Sequence, residues 1–480
     1  MAPYPPQAMR YLTDTRGAGG LDAPDVTGVS GAVVCGDAVE IDLAIAGGRI
    51  VDAGFRVFGC GAATAAASAT CALVRGRSLI EALALGTDRI DAELGGMGKE
   101  RLHGAQTAGD ALARALEQWY SRGLGAPGVP LQRDRVVVAM SGGVDSAVAA
   151  GLLVDAGYDV IGLTMRLWHD PAAAAAERSC CSPETVQLAR RTAHALGIPH
   201  VTIDAADVFR EGVVQAFIEG YRSGVTPNPC VTCNGAVRFA VLEQAAALLG
   251  ARRIATGHYA RVDGGVLAGG VDVGKDQSYM LSRLSRRTIA RMLLPLGSLT
   301  KDEVREEART RRLEAAEAVE SQEVCFVGVG GYVPFLERNA GLSSRQGDIV
   351  DTAGTVLGRH EGYWRYTVGQ RRGVGVASDG PLYVLRTDMA TNTVVVGPRE
   401  QLSTTYVELD DAVVHEHLDG VQLDVRVRYR GRALRGTARQ GENGVEVTLL
   451  DPADGVAHGQ TAALYRDGRL VGAGTIRRSR

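Results

Sequence analysis

Between residues 31 and 60 apolar and polar positions alternate. Val39, Ile41, Leu43 and Ile45 share one face, Gly47-Gly48 interrupts them, and the pattern returns from Ile50 to Phe58. This predicts a hairpin buried on one side. Two stretches of helical pattern follow, Gly61 to Leu85 and about Leu102 to Tyr120, completing an α+β domain over residues 1–120. Residues 121–134 are rich in Gly and Pro and predict a linker.

Beyond the linker the pattern changes. Arg135 to Met140 is a short, nearly continuous apolar run, as expected of a strand covered on both faces. Ser141-Gly-Gly-Val-Asp-Ser146, a helical stretch and a second strand-like run from Asp159 to Met165 come next. Strand, Gly-rich turn, helix and strand make a βαβ unit, predicting a parallel sheet in an α/β domain over residues 135–340. Ser182 and Pro183 mark the start of a further helix, and Gly197 and Pro199 its end. From about Gly347 short alternating strands with Gly-rich turns predict a small central domain at 341–405 and a β-barrel-like domain at 406–480.

A length of 480 residues suits about three or four domains. Hydrophobic content of 45% and charged content of 22% exclude wholesale disorder and collagen-like architecture. No stretch approaches the roughly 18 apolar residues that cross a bilayer, and the first residues lack the pattern of a secretory signal. Eight cysteines in such a chain read as cytosolic thiols for metal or sulfur chemistry, not as disulfide staples. A net charge of −3 gives no global attraction to nucleic acid, so any such partner is held by a local basic surface.

The Ser141–Ser146 turn sits between a strand and a helix, where glycines let an anion approach backbone N–H groups and the positive end of the helix. No Gly-Lys-Ser/Thr follows, so this is not a Walker loop. It resembles the PP-loop of ATP pyrophosphatases. Thr226-Pro-Asn-Pro-Cys-Val-Thr-Cys-Asn234, Ala255-Thr-Gly-His-Tyr-Ala-Arg261, Lys275-Asp-Gln-Ser-Tyr279, Glu323-Val-Cys-Phe326 and Val368-Gly-Gln-Arg371 stand in the order seen in the tRNA 2-thiouridylase (MnmA) family, and the resemblance covers about residues 132–480. It implies ATP contacts from Ala139, Met140, Ser141, Gly142, Gly143, Val144, Asp145, Ser146, Met165 and Gly257, with Asp145 near Mg2+. It implies that Asn228, Pro229 and Cys230 lie beside the target base. It further implies that His258, Lys275, Asp276, Gln277, Gln370, Arg428 and Tyr429 contact tRNA. The substrates it implies are the lysine, glutamate and glutamine tRNAs, with a cysteine desulfurase or sulfur-relay protein as donor.

By the same resemblance Cys233 and Cys325 are catalytic, Cys325 carrying a persulfide and Cys233 assisting its release. Where the common form of the family has an aspartate this chain has Cys230. Cys230-x-x-Cys233 with Cys325 supplies three thiolates, a set suited to a 4Fe-4S cluster with one open iron. Persulfide chemistry with Cys230 as a spare thiol is the alternative, and zinc a lesser one. Cys180-Cys181 read as structural or incidental.

Cys35-Gly-Asp37, Phe58-Gly-Cys60-Gly61 and Gly76-Arg-Ser-Leu-Ile-Glu-Ala82 resemble the iron–sulfur scaffold family IscU/NifU over roughly residues 8–120. That family places a third cysteine after a histidine near the last helix, and here His103 is followed by Gly104. Cys71 stands 11 residues beyond Cys60, about 16 Å along one helix, and reads as a buried small apolar residue. Cys35, Asp37, Cys60 and His103 remain as an iron–sulfur or zinc ligand set. A docking or transfer module without a metal is the alternative.

Finally, Arg426, Arg428 and Arg430 alternate, so a strand there would turn all three to one face and track RNA phosphates.

Overall fold

Gly47 and Gly48 both take positive φ (58° and 73°), the backbone a two-residue turn needs between right-twisted strands. They join Asp37–Ala46 to Arg49–Phe58, and Val26–Ala32 pairs antiparallel on the outer side of the first. In this computed structural model the described residues are 4–14, 16–32, 36–170, 182–317, 324–328, 330–378, 380–441 and 444–480. Val39, Ile41 and Leu43 are fully buried against helices Gly61–Val74 and Leu102–Arg122. The first of the expected helices is broken in two. It stops at Val74, and the chain restarts at Leu79–Leu83, where Ser78 and Glu81 form a capping box. Cys71 is buried as expected.

The α/β domain has five parallel strands. Their spatial order is Met292–Leu293, Ala251–Thr256, Gln132–Ala139, Asp159–Arg166 and His200–Asp204. Val136, Val137 and Val138 on the central strand are fully buried, which explains the unbroken apolar run. Chain order reverses between Gln132–Ala139 and Ala251–Thr256, so a crevice opens there at the carboxyl ends of the strands. Helix Pro183–Ala195 begins and ends where its punctuation placed it, with Ser182 accepting from the Thr185 N–H.

The Gly/Pro-rich segment is packed down instead of hanging as a tether. Val129 N–H donates to the Ala247 carbonyl (3.1 Å) and Gln132 N–H to that of Gly250 (2.7 Å). Helix Leu102–Arg122 lies directly on the α/β domain: Asp110 pairs with Arg190, Glu117 with Arg166 (2.9 Å), and the Ser121 hydroxyl accepts from Asp204 N–H (2.9 Å).

Two β units follow. Gly347–Val350, Val356–His360, Tyr383–Asp388 and Thr393–Gly397 form a four-stranded sheet. Ser403–Val414, Gly444–Asp454, Leu434–Gly441, Gln422–Arg426, Thr461–Arg466 and Arg469–Ser479 close into a barrel, the last pairing back to the first. The barrel also joins strand Val266–Gly269 of the α/β domain through Arg469 and Ala268. Both units grip one loop: Tyr363 Oη donates to the Arg222 carbonyl (2.6 Å), Thr387 Oγ1 to that of Gly224 (3.3 Å), and Gln460 Nε2 to those of Thr226 (2.9 Å) and Pro227 (3.2 Å). Among the described residues no helix is long and apolar enough to cross a membrane.

The expected row of arginines is corrected. The strand ends at Arg426, which turns inward to Asp276 (2.7 Å) and lies over the Tyr465 ring at 5.0 Å. The chain then leaves the sheet in a turn with Arg430 at φ 58°, leaving Arg428 and Arg430 exposed. Asp276 is 6% exposed, so removing its partner strands a buried carboxylate. Arg426→Met is expected to cost about 2 kcal/mol in urea unfolding, and Arg428→Ala less than about 0.5 kcal/mol.

Candidate functional site

The phosphate loop lies in the crevice at the order reversal. Gly143 caps helix Val144–Asp155, Ser141 N–H donates to Ser146 Oγ (3.1 Å), and Ser146 Oγ donates to the Gly143 carbonyl (3.0 Å). Ala139 ends the neighbouring strand with Met140 directly after it, Met165 comes near the end of the next, and Gly257 follows the third. A Cβ on Gly257 would stand 2.8 Å from the Asp145 carbonyl carbon and 2.9 Å from Ser146 N, so only glycine lets the two loops meet. The expected ATP set is thus gathered around one helix N-terminus, a cradle that fits the phosphates of a nucleotide. Asp145, on the first turn, accepts from Tyr259 Oη (2.7 Å) and pairs with Lys301 Nζ (2.7 Å). Lys301 escaped sequence reasoning. The Thr300-x-x-Glu303 capping box ahead of an apolar-periodic run was the signal that placed it at a helix start.

Asn228 caps the short helix Pro229–Thr232, accepting from the Val231 N–H (3.2 Å). Cys230 is exposed there, and Cys233 is buried at the start of a π-helical turn, Cys233–Arg238. A second such turn, Arg210–Val214, packs against it. Such widened turns are rare and concentrate at functional sites. Solvent reaches Cys230, yet close packing and then the neighbouring Cys233 push its thiol up. Cys325 is half-buried beside Phe326, which meets the rings of Phe209, Phe217 and Phe335 edge-on at 5.7, 5.3 and 5.4 Å. Phe209 immediately precedes the turn Arg210–Val214 that packs on the turn starting at Cys233. Phe239, which directly follows the turn Cys233–Arg238, packs its ring 6.3 Å from that of His258, which brings the end of that turn to the Gly257–Tyr259 loop of the nucleotide crevice.

Among the described residues only Asp37, Cys60 and His103 bring three ligand atoms within 4.8 Å of one another. Cys230, Cys233 and Cys325 are not spaced to share a single ion, which argues against zinc there; an iron–sulfur cube holds its thiolates farther apart than one ion does. In the N-terminal domain Cys60 Sγ donates to Asp37 Oδ2 (3.0 Å) and lies 3.4 Å from His103 Nε2. His103 Nδ1 lies 3.2 Å from the Glu100 carbonyl, and donation to it leaves Nε2 as the ligand atom. Burial and then Asp37 push the Cys60 thiol up. The departure at Gly104 is built into the packing. A Cβ there would stand 2.7 Å from the Ala62 carbonyl, so a third thiolate has no room. Cys35, Cys180, Cys181 and Glu323 lie outside the described residues.

The residues expected to meet tRNA divide. Lys275 is half-exposed, and Arg428 and Tyr429 sit on the turn after the barrel strand. Gln370 Nε2 donates to the Arg372 carbonyl (2.9 Å), ordering an exposed loop. Three others make contacts within the protein. Asp276 holds Arg426, the Gln277 side-chain carbonyl accepts from Tyr259 N–H (2.9 Å), and His258 pairs with Thr256 Oγ1 (2.8 Å) beside Phe239. Burial pushes the His258 imidazole down to about 3, keeping it neutral.

A Gly-rich strand-to-helix loop at the order reversal of a parallel sheet, served by a nearby pair of thiols, defines a nucleotide-using α/β enzyme of sulfur chemistry. Family models described as NifU-like N terminal domain, tRNA methyl transferase HUP domain, tRNA methyl transferase PRC-barrel domain and aminomethyltransferase beta-barrel domain match residues 3–124, 134–329, 334–398 and 410–476. The chain is 43% identical to the bifunctional protein NifU/MnmA of Rubrobacter xylanophilus, with 99% of each chain covered. It is 44% identical to the tRNA-specific 2-thiouridylase MnmA of Sorangium cellulosum over 72% of this chain and 93% of that one. The corresponding protein of Geobacter metallireducens is 42% identical, with 72% and 97% covered. This chain belongs to the NifU/MnmA family.

Two outcomes follow from the geometry. His258 binds no proton when folded until pH nears 3 but binds one near 6.5 when unfolded. Its contribution is therefore complete above pH 6.5 and declines as pH falls toward 3. His258→Phe should flatten the loss of stability between pH 6.5 and 5, by about 1 kcal/mol per pH unit. Gly104→Cys should destabilise the N-terminal domain by about 1–3 kcal/mol through overpacking, without raising bound iron in metal analysis.

Proposed function

We propose that this protein replaces the C2 oxygen of the wobble uridine of tRNA by sulfur, at the expense of ATP. The observation that carries the reading is the packing that connects the thiol helix to the phosphate loop: Phe239, just past its π-helical turn, lies ring to ring 6.3 Å from His258, and the neighbouring Tyr259 donates to Asp145 at 2.7 Å. In the first step the uridine O2 attacks the α-phosphorus of ATP. The bond to the bridging oxygen breaks, and its electron pair leaves on pyrophosphate. The adenylate makes that oxygen a good leaving group, so a sulfur nucleophile at C2 expels AMP. The helix N-terminus at Gly143 holds the phosphates, and Asp145 offers its carboxylate to Mg2+. The names of the relatives support tRNA as substrate. The exposed Arg428 and Arg430 and the half-exposed Lys275 supply basic groups for RNA, and lysine, glutamate and glutamine tRNAs are the proposed acceptors. The "methyl transferase" of the family descriptions has no use for a phosphate loop beside paired thiols.

Cys230, Cys233 and Cys325 are proposed to supply the sulfur by holding a 4Fe-4S cluster. Three thiolates fit such a cluster as donors, and when bound it leaves one iron unligated to present hydrosulfide. A second reading is supported by the packing that links Cys325 to Cys233: Phe326 meets Phe209, and the π-helical turn after Phe209 packs on the turn that starts at Cys233. There the terminal sulfur of a Cys325 persulfide attacks C2. The Cys233 thiolate then attacks Cys325 Sγ, releasing thiouridine and leaving a disulfide. A cysteine desulfurase or relay protein provides the persulfide, and an external dithiol reduces the disulfide. Asp37, Cys60 and His103 are proposed to hold one zinc or iron ion, since packing at Gly104 closes the place of a third thiolate.

Mass spectrometry of tRNA nucleosides tests the activity. A deletion strain should lack 2-thiouridine, recover it with the wild-type chain and fail to recover it with Cys325→Ser; unchanged nucleosides in the deletion strain would overturn the reading. Anaerobic iron and sulfide analysis separates the sulfur routes. The cluster predicts about four irons per chain lost in Cys230→Asp, whereas no iron with intact persulfide-driven thiolation in that variant returns the chemistry to Cys233 and Cys325.

A further inference from the structure

Asp145, the carboxylate assigned to magnesium, is engaged by this chain's own residues. Lys301 Nζ lies 2.7 and 3.0 Å from its two oxygens, and Tyr259 Oη donates to one of them at 2.7 Å. The lysine side chain is 9% exposed. It is delivered rigidly, from the first residue of helix Lys301–Thr310, whose start is held by the Thr300/Glu303 capping box. Its own N–H donates to Asp272 Oδ2 (3.0 Å). Val304 and Ala308 of that helix pack with Val144, Ala147 and Val148 of the phosphate-loop helix, so the ammonium cannot drift from the loop.

We propose that Lys301 is a second working charge of the nucleotide site, paired with Asp145 before ATP binds and transferred to phosphate oxygens when Asp145 takes Mg2+. The proposal rests on the reading of this crevice as an ATP site. A carboxylate whose oxygens already accept from an ammonium and a phenol has little left for a divalent cation, and the cation in turn repels the ammonium. The nearest anions are then the phosphates held at the same helix N-terminus. An ammonium fixed in a largely buried place stabilises the charge that gathers on departing pyrophosphate. Lys301 keeps its proton throughout and makes no covalent bond. The resting ion pair also explains how a lysine comes to be buried at this point without a ligand.

The test uses the full-length chain and the variants Lys301→Gln, Lys301→Arg and Tyr259→Phe. Lys301→Gln should lower pyrophosphate release by about 100-fold or more while the KM for ATP moves less than about threefold. The Mg2+ concentration that half-saturates nucleotide binding, read by calorimetry, should fall about fivefold because Asp145 is released. Tyr259→Phe should shift the Mg2+ dependence in the same direction. Lys301→Arg keeps the charge, so it should fold like wild type and recover at least about tenfold of the lost rate. Unchanged Mg2+ dependence in both Lys301→Gln and Tyr259→Phe would overturn the proposal. A rate within threefold of wild type in Lys301→Gln would overturn it equally, even with a lowered melting temperature, and leave Lys301 a structural ion pair. If Lys301→Gln does not fold, Tyr259→Phe decides: wild-type Mg2+ dependence in it overturns the proposal. Wild-type protein that binds no ATP at any Mg2+ concentration would overturn the ATP-site reading, and this proposal with it.

Discussion

The loop from Arg222 to Pro227 is where the α/β domain, the four-stranded sheet and the barrel meet, and the thiol helix hangs from it. Its carbonyls accept from Tyr363, Thr387 and Gln460, three side chains far away in sequence. The barrel carbonyl of His458 accepts from Thr226 N–H (2.9 Å). Backbone groups of a loop must find partners somewhere. The N–H groups of Ser223, Gly224 and Val225 find theirs in the preceding helix, while the carbonyls of Arg222, Gly224, Thr226 and Pro227 are completed by the two β units, which thereby brace the loop that leads to Asn228, Cys230 and Cys233. Catalytic placement is thus bought by the two β units, which carry no thiol of their own.

On the other side of the crevice the constraint is close approach. Gly257 brings the third strand's loop against Asp145 and Ser146, and the buried Asp276–Arg426 pair ties the following loop to the barrel. The 270–277 loop therefore touches everything at once. Asp272 holds Lys301, Gln277 holds Tyr259, and Asp276 holds the barrel.

Local chemistry made much of this legible in the sequence. The Gly47-Gly48 hairpin, the Val136–Val138 core strand and the Ser182-to-Gly197 helix are local signals, and each formed as read. The phosphate loop was legible for the same reason, since its glycines and serines act on neighbours a few residues away. Readings failed where a distant partner decides. Arg426 follows strand alternation until Asp276, 150 residues earlier, draws it inward. The Gly/Pro-rich segment has linker composition, but Ala247 and Gly250 capture it. Gly104 was visible as a missing cysteine, whereas the collision with Ala62 that closes the place needed the helix packing.

The central claim is that one crevice activates an RNA base with ATP and hands it to the adjacent thiols. Pyrophosphate release by the purified chain, with and without unmodified substrate tRNA, tests it most directly. Release that depends on tRNA, and is abolished by Asp145→Asn, is the predicted result. Release at the same rate without RNA, or none with any tRNA offered, would contradict the account.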